Sequence, residues 1–364
     1  MKYVLVNPFP WKRANGVTSY LRNMLTFLRE AGIDAIIISN DEELPRAGYQ
    51  RFLRDKLATQ FRPDEVVIEA PEVKSPTLLL RREFPVHIRL HCPNALVEAH
   101  NGGTVQWEEF AEEMEVVRAA RVVSSPSHAL LRALQEHVET GAVHVYKNPP
   151  PKDLDSNATF GKKERDVVFL GRFSRLKGAD FIEPLLRRFP DRLSVAVAGR
   201  ESDRFTAPEE VRSRVTVHGQ IVGPDRLRLL GESRVALMLS RFENCSMTIL
   251  ESLAMGTVVA GWRVGGNDEI AGPNLIRLAP FGDMEALVTT IIELIEETYP
   301  SEGEFRAAID RVMTDFRDGW WHVWNTVRQP PPIPLYRGMN CGESLAGRGG
   351  VAERDWLRGS PPGL

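Results

Sequence analysis

The sequence predicts an α/β protein built as two Rossmann-like domains that face each other across a shared cleft. Three observations predict it. Short apolar runs alternate with helical patterns through the first 147 residues, the alternation breaks at a proline-rich stretch, and it then restarts and continues to about residue 310. Strands alternating with helices imply βαβ units on parallel sheets, which place ligands at the carboxyl ends of their strands.

Taken in order, the strand-like runs of the first half are Tyr3 to Val6, Ala35 to Ile38, Val66 to Ile68 and Val86 to Leu90. Between the first two, Thr18 to Glu30 sets Tyr20, Met24, Leu25, Phe27 and Leu28 at helical spacing, and Gly32 follows as a stop signal. A helical stretch from Trp107 to Ala120 and a strand from Arg121 to Ser124 complete a domain assigned to residues 1–147. Residues 148–164 hold Pro149, Pro150 and Pro151 and then a polar run, which reads as an interdomain linker.

The alternation resumes with Asp166 to Leu170, Leu193 to Ala198, Val215 to His218 and Val235 to Leu239. A helix from Ser246 to Met255 and a strand from Thr257 to Gly261 follow, within a second domain assigned to residues 165–310. A C-terminal helix is expected over 311–327, with Trp320, Trp321 and Trp324 as one buried face. Residues 328–364 are Pro- and Gly-rich and read as a flexible tail.

Composition narrows the class. At 364 residues there is room for two cores, and 43% hydrophobic with 26% charged residues is the make-up of a soluble globular protein. A net charge of -3 argues against a nucleic-acid partner. Cys92, Cys245 and Cys341 form no CxxC pair, so neither a disulfide framework nor a structural zinc site is expected, and a reducing cytoplasm fits. The apolar start is broken by Pro8 and Pro10, and no apolar run reaches the roughly 18 residues of a membrane span.

Four stretches of the second half carry candidate chemistry. In VVFLGRFSRLKG a buried strand ends at Gly171, and Arg172 and Lys177 follow in the loop. Two fixed cations at a strand's carboxyl end suit a diphosphate, although a surface loop with two solvated charges gives the same pattern. In VAVAGRE the strand runs into Gly199, which either admits a nucleotide close to the backbone or simply ends a strand. In RFENCSMTILESLAMGTVVAG, Glu243 falls in a loop and Glu251 on the following helix, with Ser246 and Met247 at its N-terminus. Such a terminus offers free N–H groups and a positive dipole end to phosphate, and the two carboxylates can accept sugar and ribose hydroxyls. A capped amphipathic helix with two solvated glutamates is the plain alternative. Finally WRVGGNDEI supplies Gly265, Gly266 and Glu269 beside the same crevice.

This run of motifs resembles the C-terminal half of retaining GT-B glycosyltransferases, especially family 4 (glycosyltransferase group 1). The matching positions are Gly171, Arg172, Lys177, Gly178, Glu243, Glu251, Gly265, Gly266 and Glu269. The resemblance implies Arg172 and Lys177 on the donor diphosphate, Glu251 on the ribose, and Glu243 with the Ser246 and Met247 backbone at the donor sugar. In the first half, ANGVTSY resembles the family's glycine-rich loop, its paired glycines reduced to Gly16, and His91 in IRLHCPN matches a cleft histidine near the donor sugar. SPSH at 125–128 and VYKNPP at 145–150 resemble the end of the first domain and the crossing.

The expected activity is transfer of a sugar, with retention, from a nucleotide-diphosphate donor to a hydroxyl of a glycan, lipid-linked or small-molecule acceptor. Uridine diphosphate is the favoured donor base, and no cofactor or metal is expected. The triplet Asp153-Leu154-Asp155 sits in the linker rather than after a core strand, which disfavours a metal role. A sugar-nucleotide epimerase of the same fold and a non-catalytic nucleotide-sugar-binding module remain as rivals. A peripheral membrane contact is a further candidate: residues 51–62 set Arg51, Arg54, Lys56 and Arg62 beside Phe52, Leu53, Leu57 and Phe61. The same pattern fits a helix packed on its sheet.

Overall fold

The computed structural model describes residues 1–329 apart from 14, 81–83, 140–142, 152–159, 161–162 and 273. The Asp153-Leu154-Asp155 triplet, most of the linker and the tail from residue 330 lie outside the described residues.

The first sheet contains β1 (Lys2–Asn7), β2 (Ala35–Ser39), β3 (Val66–Pro71), β4 (Val86–Arg89), β5 (Val122–Ser125) and β6 (Val143–Val145). All pair in parallel, in the order β2-β1-β3-β4-β5-β6. Its helices are α1 (Gly16–Glu30), α2 (Arg46–Gln60), α3 (Asn94–Asn101), α4 (Trp107–Ala119) and α5 (His128–Ala133).

The second sheet contains β7 (Arg165–Leu170), β8 (Val195–Ala198), β9 (Val215–Gly219), β10 (Ser233–Met238), β11 (Val258–Trp262) and β12 (Ile276–Ala279). These too are parallel, in the order β12-β11-β10-β7-β8-β9. Its helices are α6 (Ile182–Leu186), α7 (Gly223–Gly231), α8 (Met247–Ala254), α9 (Met284–Glu296) and α10 (Glu302–Arg328).

Central strands of a parallel sheet are covered on both faces, so they read as unbroken apolar runs. VVFL of β7, VAVA of β8 and VVAGW of β11 are buried throughout. Helix α1 begins where the Asn15 side chain accepts the Thr18 N–H at 2.8 Å, and it buries Tyr20, Leu21, Met24, Phe27 and Leu28 on the first sheet.

Helix α10 differs from the expected 311–327. It starts at Glu302 behind a Ser301/Glu304 capping box. Its first half packs Phe305, Ala308 and Val312 into the core of the second domain. Its second half packs Phe316, Trp320, Val323, Trp324 and Val327 into the core of the first. The chain thus crosses back between the domains along one helix. Trp320 and Trp324 are buried, but Trp321 is 37% exposed, because a step of one residue turns a side chain about 100° around the axis. Gly319 sits where a Cβ would come within 2.4 Å of the Tyr146 side chain, so glycine lets the helix approach β6.

Helix α2 turns Leu53 and Leu57 onto the sheet, and Phe52 stacks on Tyr49 at 6.0 Å. It buries Tyr49, Gln50, Leu53 and Leu57, Phe52 is half-buried, and the exposed positions are Ala47, Arg51, Asp55, Ala58, Thr59 and Gln60. Among the described residues no helix is long and apolar enough to cross a membrane.

Candidate functional site

The second sheet reverses its strand order between β7 and β10. The crevice beyond the carboxyl ends of two such strands is where a doubly wound sheet takes its ligand. The loop after β7 carries Gly171, Arg172 and Lys177, and the loop after β10 carries Ser240 and Glu243 and leads into α8. The first reversal, between β1 and β3, brings the loop before α1 to the equivalent edge of the other domain.

Lys177 and Glu243 meet directly. Nζ of Lys177 donates to Oε1 of Glu243 at 2.5 Å, and the Ser240 hydroxyl donates to the same oxygen at 2.6 Å. Glu243 is 7% exposed, so its charge is answered by an ammonium and a hydroxyl rather than by bulk water. Arg172 is exposed and has no side-chain hydrogen bond or ion pair to any described residue. Ser246 is the N-cap of α8 but makes no side-chain capping bond, and Met247 opens the helix, both buried.

Glu251 is 5% exposed on α8 and is met by an arginine the sequence reading missed. Nη1 of Arg226, on α7, donates to Oε1 of Glu251 at 2.6 Å, and Nη2 engages Oε2. Nη2 also lies 3.4 Å from the Thr248 hydroxyl. The two partners are 25 positions apart on different helices, a separation that leaves no periodic signal.

The glycines have structural reasons. Gly265 has φ +56°, and a Cβ there would stand 1.9 Å from the Glu243 carbonyl oxygen. The N–H of Gly266 donates to that same oxygen at 2.8 Å, so the pair clamps the loop bearing Glu243. Gly199 is pressed against its own sheet, since a Cβ would lie 1.9 Å from the Gly171 carbonyl oxygen. At Gly16 a Cβ would meet nothing within 4 Å.

Glu269 does not join Glu243 and Glu251. It reaches into the first domain and accepts the N–H groups of His128 and Ala129 at the start of α5, 2.9 Å each, with Lys147 Nζ 3.3 Å away. Burial opposes ionisation, yet the two amides and the ammonium together hold its carboxyl below the usual range.

Other contacts also cross the cleft. Asn148 donates its amide N–H to the Cys245 carbonyl at 3.1 Å, the Leu176 N–H donates to Asn101 Oδ1 at 2.9 Å, and the His100 ring stacks on Phe242 at 5.5 Å. The domains are therefore closed on each other. Behind Asn148 stands Arg89, fully buried, its guanidinium 3.0 Å from Asn148 Oδ1 and 4.1 Å from the Tyr146 ring centre.

His91 follows β4 at the edge of the first domain. Its N–H donates to both oxygens of Glu72, at 3.0 and 2.8 Å, and its ring meets the Tyr20 ring edge-on at 5.0 Å. Desolvation, with the Arg89 charge beside it, lowers the imidazole to about 3, so the ring is neutral across the physiological range. Beneath it burial and the neighbouring Glu113 carboxylate push Glu72 up to about 8, and burial pushes Glu113 up to about 7. This carboxylate pair escaped the sequence reading because nothing local in IEAPEVK marks it. Among the described residues no group of three or more His, Cys, Asp or Glu side chains is clustered to hold a metal ion.

Residues 164–297, which contain β7 to β12, match the family model described as glycosyl transferases group 1. D-inositol 3-phosphate glycosyltransferase of Xylanimonas cellulosilytica is 31% identical over 150 residues, 36% of this chain, and the chain spans about a third (35%) of that relative's length. The fold is GT-B: a sucrose-phosphate synthase from Thermosynechococcus elongatus superposes with a TM-score of 0.72 at 16% identity, covering 90% of this chain and 98% of its own. HepE of Anabaena, solved in complex with UDP and glucose, superposes at 0.63 with 17% identity, covering 90% and 99%. A glycosyltransferase involved in avilamycin A biosynthesis superposes at 0.63 with 18% identity, covering 90% and 97%.

Proposed function

We propose that the chain is a metal-independent, retaining glycosyltransferase that moves a sugar from a nucleotide-diphosphate donor, uridine diphosphate by preference, to a hydroxyl of a glycan, lipid-linked or small-molecule acceptor. One observation carries the reading. At the switch point of the second sheet the loops that follow β7 and β10 meet in the Lys177–Glu243 pair, Arg172 lies in the first of these loops, and the second leads into α8, which carries Glu251. That set supplies cations for a diphosphate, a carboxylate for sugar hydroxyls and another for ribose hydroxyls.

In the proposed reaction the bond between the sugar's anomeric carbon and the diphosphate oxygen breaks. The acceptor oxygen bonds to the same face of that carbon, and its proton passes to the departing diphosphate. Arg172, Lys177 and the α8 dipole stabilise the charge that builds on the leaving group. Lys177 already faces Glu243, so it can sit between the carboxylate that accepts the sugar's hydroxyls and the diphosphate. Neutral His91 acts as a hydrogen-bonding partner to the sugar rather than as an acid.

Thermal unfolding with a panel of nucleoside diphosphates, on the protein and on Glu251→Ala, tests the donor site. A diphosphate at a hundred times its Kd stabilises a fold by about 2.7 kcal/mol, and Glu251→Ala is expected to abolish the shift. Absence of a shift with every nucleotide removes the donor-site reading. Donor incubated alone separates transfer from epimerisation, since an epimerase converts it without an acceptor. Retention is read from the anomeric configuration of the product by NMR.

A further inference from the structure

Building on the donor site proposed above, we infer that Arg226 is a positioning residue that fixes Glu251 as a ribose-reading carboxylate and restricts the donor to ribonucleoside diphosphates. Glu251 is 5% exposed, and a carboxylate so removed from water needs a counter-charge and hydrogen-bond donors from the protein. Arg226 supplies both: its Nη1 donates to Oε1, and its Nη2 pairs with Oε2 as an ion-pair contact.

The fork also sets the plane of the carboxylate. Arg226 is tied at a second point, its Nη2 lying 3.4 Å from the Thr248 hydroxyl on the same helix as Glu251. Glu251 is therefore held by a group that is itself held, from an element (α7) outside its own helix. The Arg226 hydrogen bond takes one of the carboxylate's roughly four acceptor directions, and Oε2 accepts no hydrogen bond from a described residue, so acceptor directions remain for vicinal hydroxyls. A deoxyribose would leave one of those acceptors unmet in a desolvated site, which such sites penalise heavily. The pair is also reachable, since the Arg226 side chain is 26% exposed.

The test is calorimetric titration of the full chain with UDP and 2′-deoxy-UDP, with the guanosine pair run alongside. It uses wild type, Arg226→Gln, Arg226→Lys, Glu251→Gln and the Arg226→Gln/Glu251→Gln double variant. Wild type is expected to favour the ribonucleotide by about tenfold or more. Arg226→Gln should bring the ratio to within about threefold, and the double variant should lower it no further, as expected of a coupled pair. Arg226→Lys, which keeps the charge but loses the fork, should fall between. A ribo-to-deoxy ratio left intact in Arg226→Gln, with affinity reduced equally for both nucleotides, overturns the inference and makes Arg226 a purely structural residue. If Arg226→Gln does not fold by circular dichroism, Arg226→Lys decides: a wild-type ratio there overturns the role of the fork. Failure of wild type to bind any nucleoside diphosphate is a different result, for it removes the donor-site reading along with this one.

Discussion

The Glu269 carboxylate, carried on the second domain, accepts the backbone N–H of His128 on the first at 2.9 Å, and its other oxygen accepts the Ala129 N–H at the same distance. A side chain of one domain thereby caps a helix of the other, with Lys147 balancing its charge. Together with Asn148 on Cys245 and Asn101 on Leu176, it links the two sheets around the crevice.

Replacing Glu269 with glutamine should loosen that link. Removing a charged acceptor from two amides in a partly exposed site costs about 1–2 kcal/mol. Its carboxyl is held below the usual range, so its contribution is present above the unfolded-chain value near 4.5 and disappears as pH falls through the lower folded value. Hydrogen exchange at His128 and Ala129 should rise in Glu269→Gln at neutral pH, and the difference from wild type should vanish on acidification. Equal protection at neutral pH would count against the link.

Lys177 and Glu243 should behave as a coupled unit. Lys177→Ala leaves a 7%-exposed carboxylate whose remaining hydrogen-bond donor among the described residues is the Ser240 hydroxyl, which should cost about 2–3 kcal/mol. Adding Glu243→Gln should recover most of that stability while activity stays low. A denaturant double-mutant cycle reads the coupling, and additive losses would show that the two groups do not depend on each other.

His91 should leave no mark near pH 6.5 in the pH profile of kcat/KM, because burial and Arg89 hold it neutral down to about 3. The unfolded chain takes up a proton near 6.5 that the folded ring refuses, so His91 lowers stability as pH falls from there toward 3. His91→Asn should flatten that acid limb and reduce kcat/KM about tenfold or more. An ionisation near 6.5 that disappears in His91→Asn would contradict a neutral ring.

Glu72 has the opposite sign. Its carboxyl, raised to about 8, keeps a proton in the fold that the unfolded chain releases near 4.5. Stability from this group is fullest below the unfolded value, falls as pH rises, and is wholly lost only above about 8, with a slope of up to about 1.4 kcal/mol per pH unit. Glu72→Gln, which mimics the protonated acid, should show a shallower decline in thermal midpoint over that window. Glu113, raised to about 7, should share the effect.

Trp320 ties the end of α10 to the first domain. It is fully buried, stacks on Trp324 at 5.6 Å and meets Phe27 edge-on at 5.0 Å. Trp320→Ala should cost about 3–5 kcal/mol, measured by denaturant midpoint at constant slope.

By itself the sequence determined the two-sheet α/β layout and the order of its motifs. Buried parallel strands such as VVFL and VAVA announce themselves as unbroken apolar runs, and Gly171 and Gly199 fall where those runs stop, so both the strands and their loops can be read along the chain. Tertiary structure alone decided which side chains meet. The Arg226–Glu251 fork, the Glu72 and Glu113 carboxylates beneath His91, and the turn of Glu269 toward α5 join residues that are distant in sequence and follow no shared period. Helix α10 is the intermediate case: its spacing is local, but that its first half serves one core and its second half the other is set by where the two sheets stand. Periodicity is a property of the backbone and is written along the chain, whereas the pairing of charges is settled only once burial has stripped them of water and left each to find its nearest counter-charge.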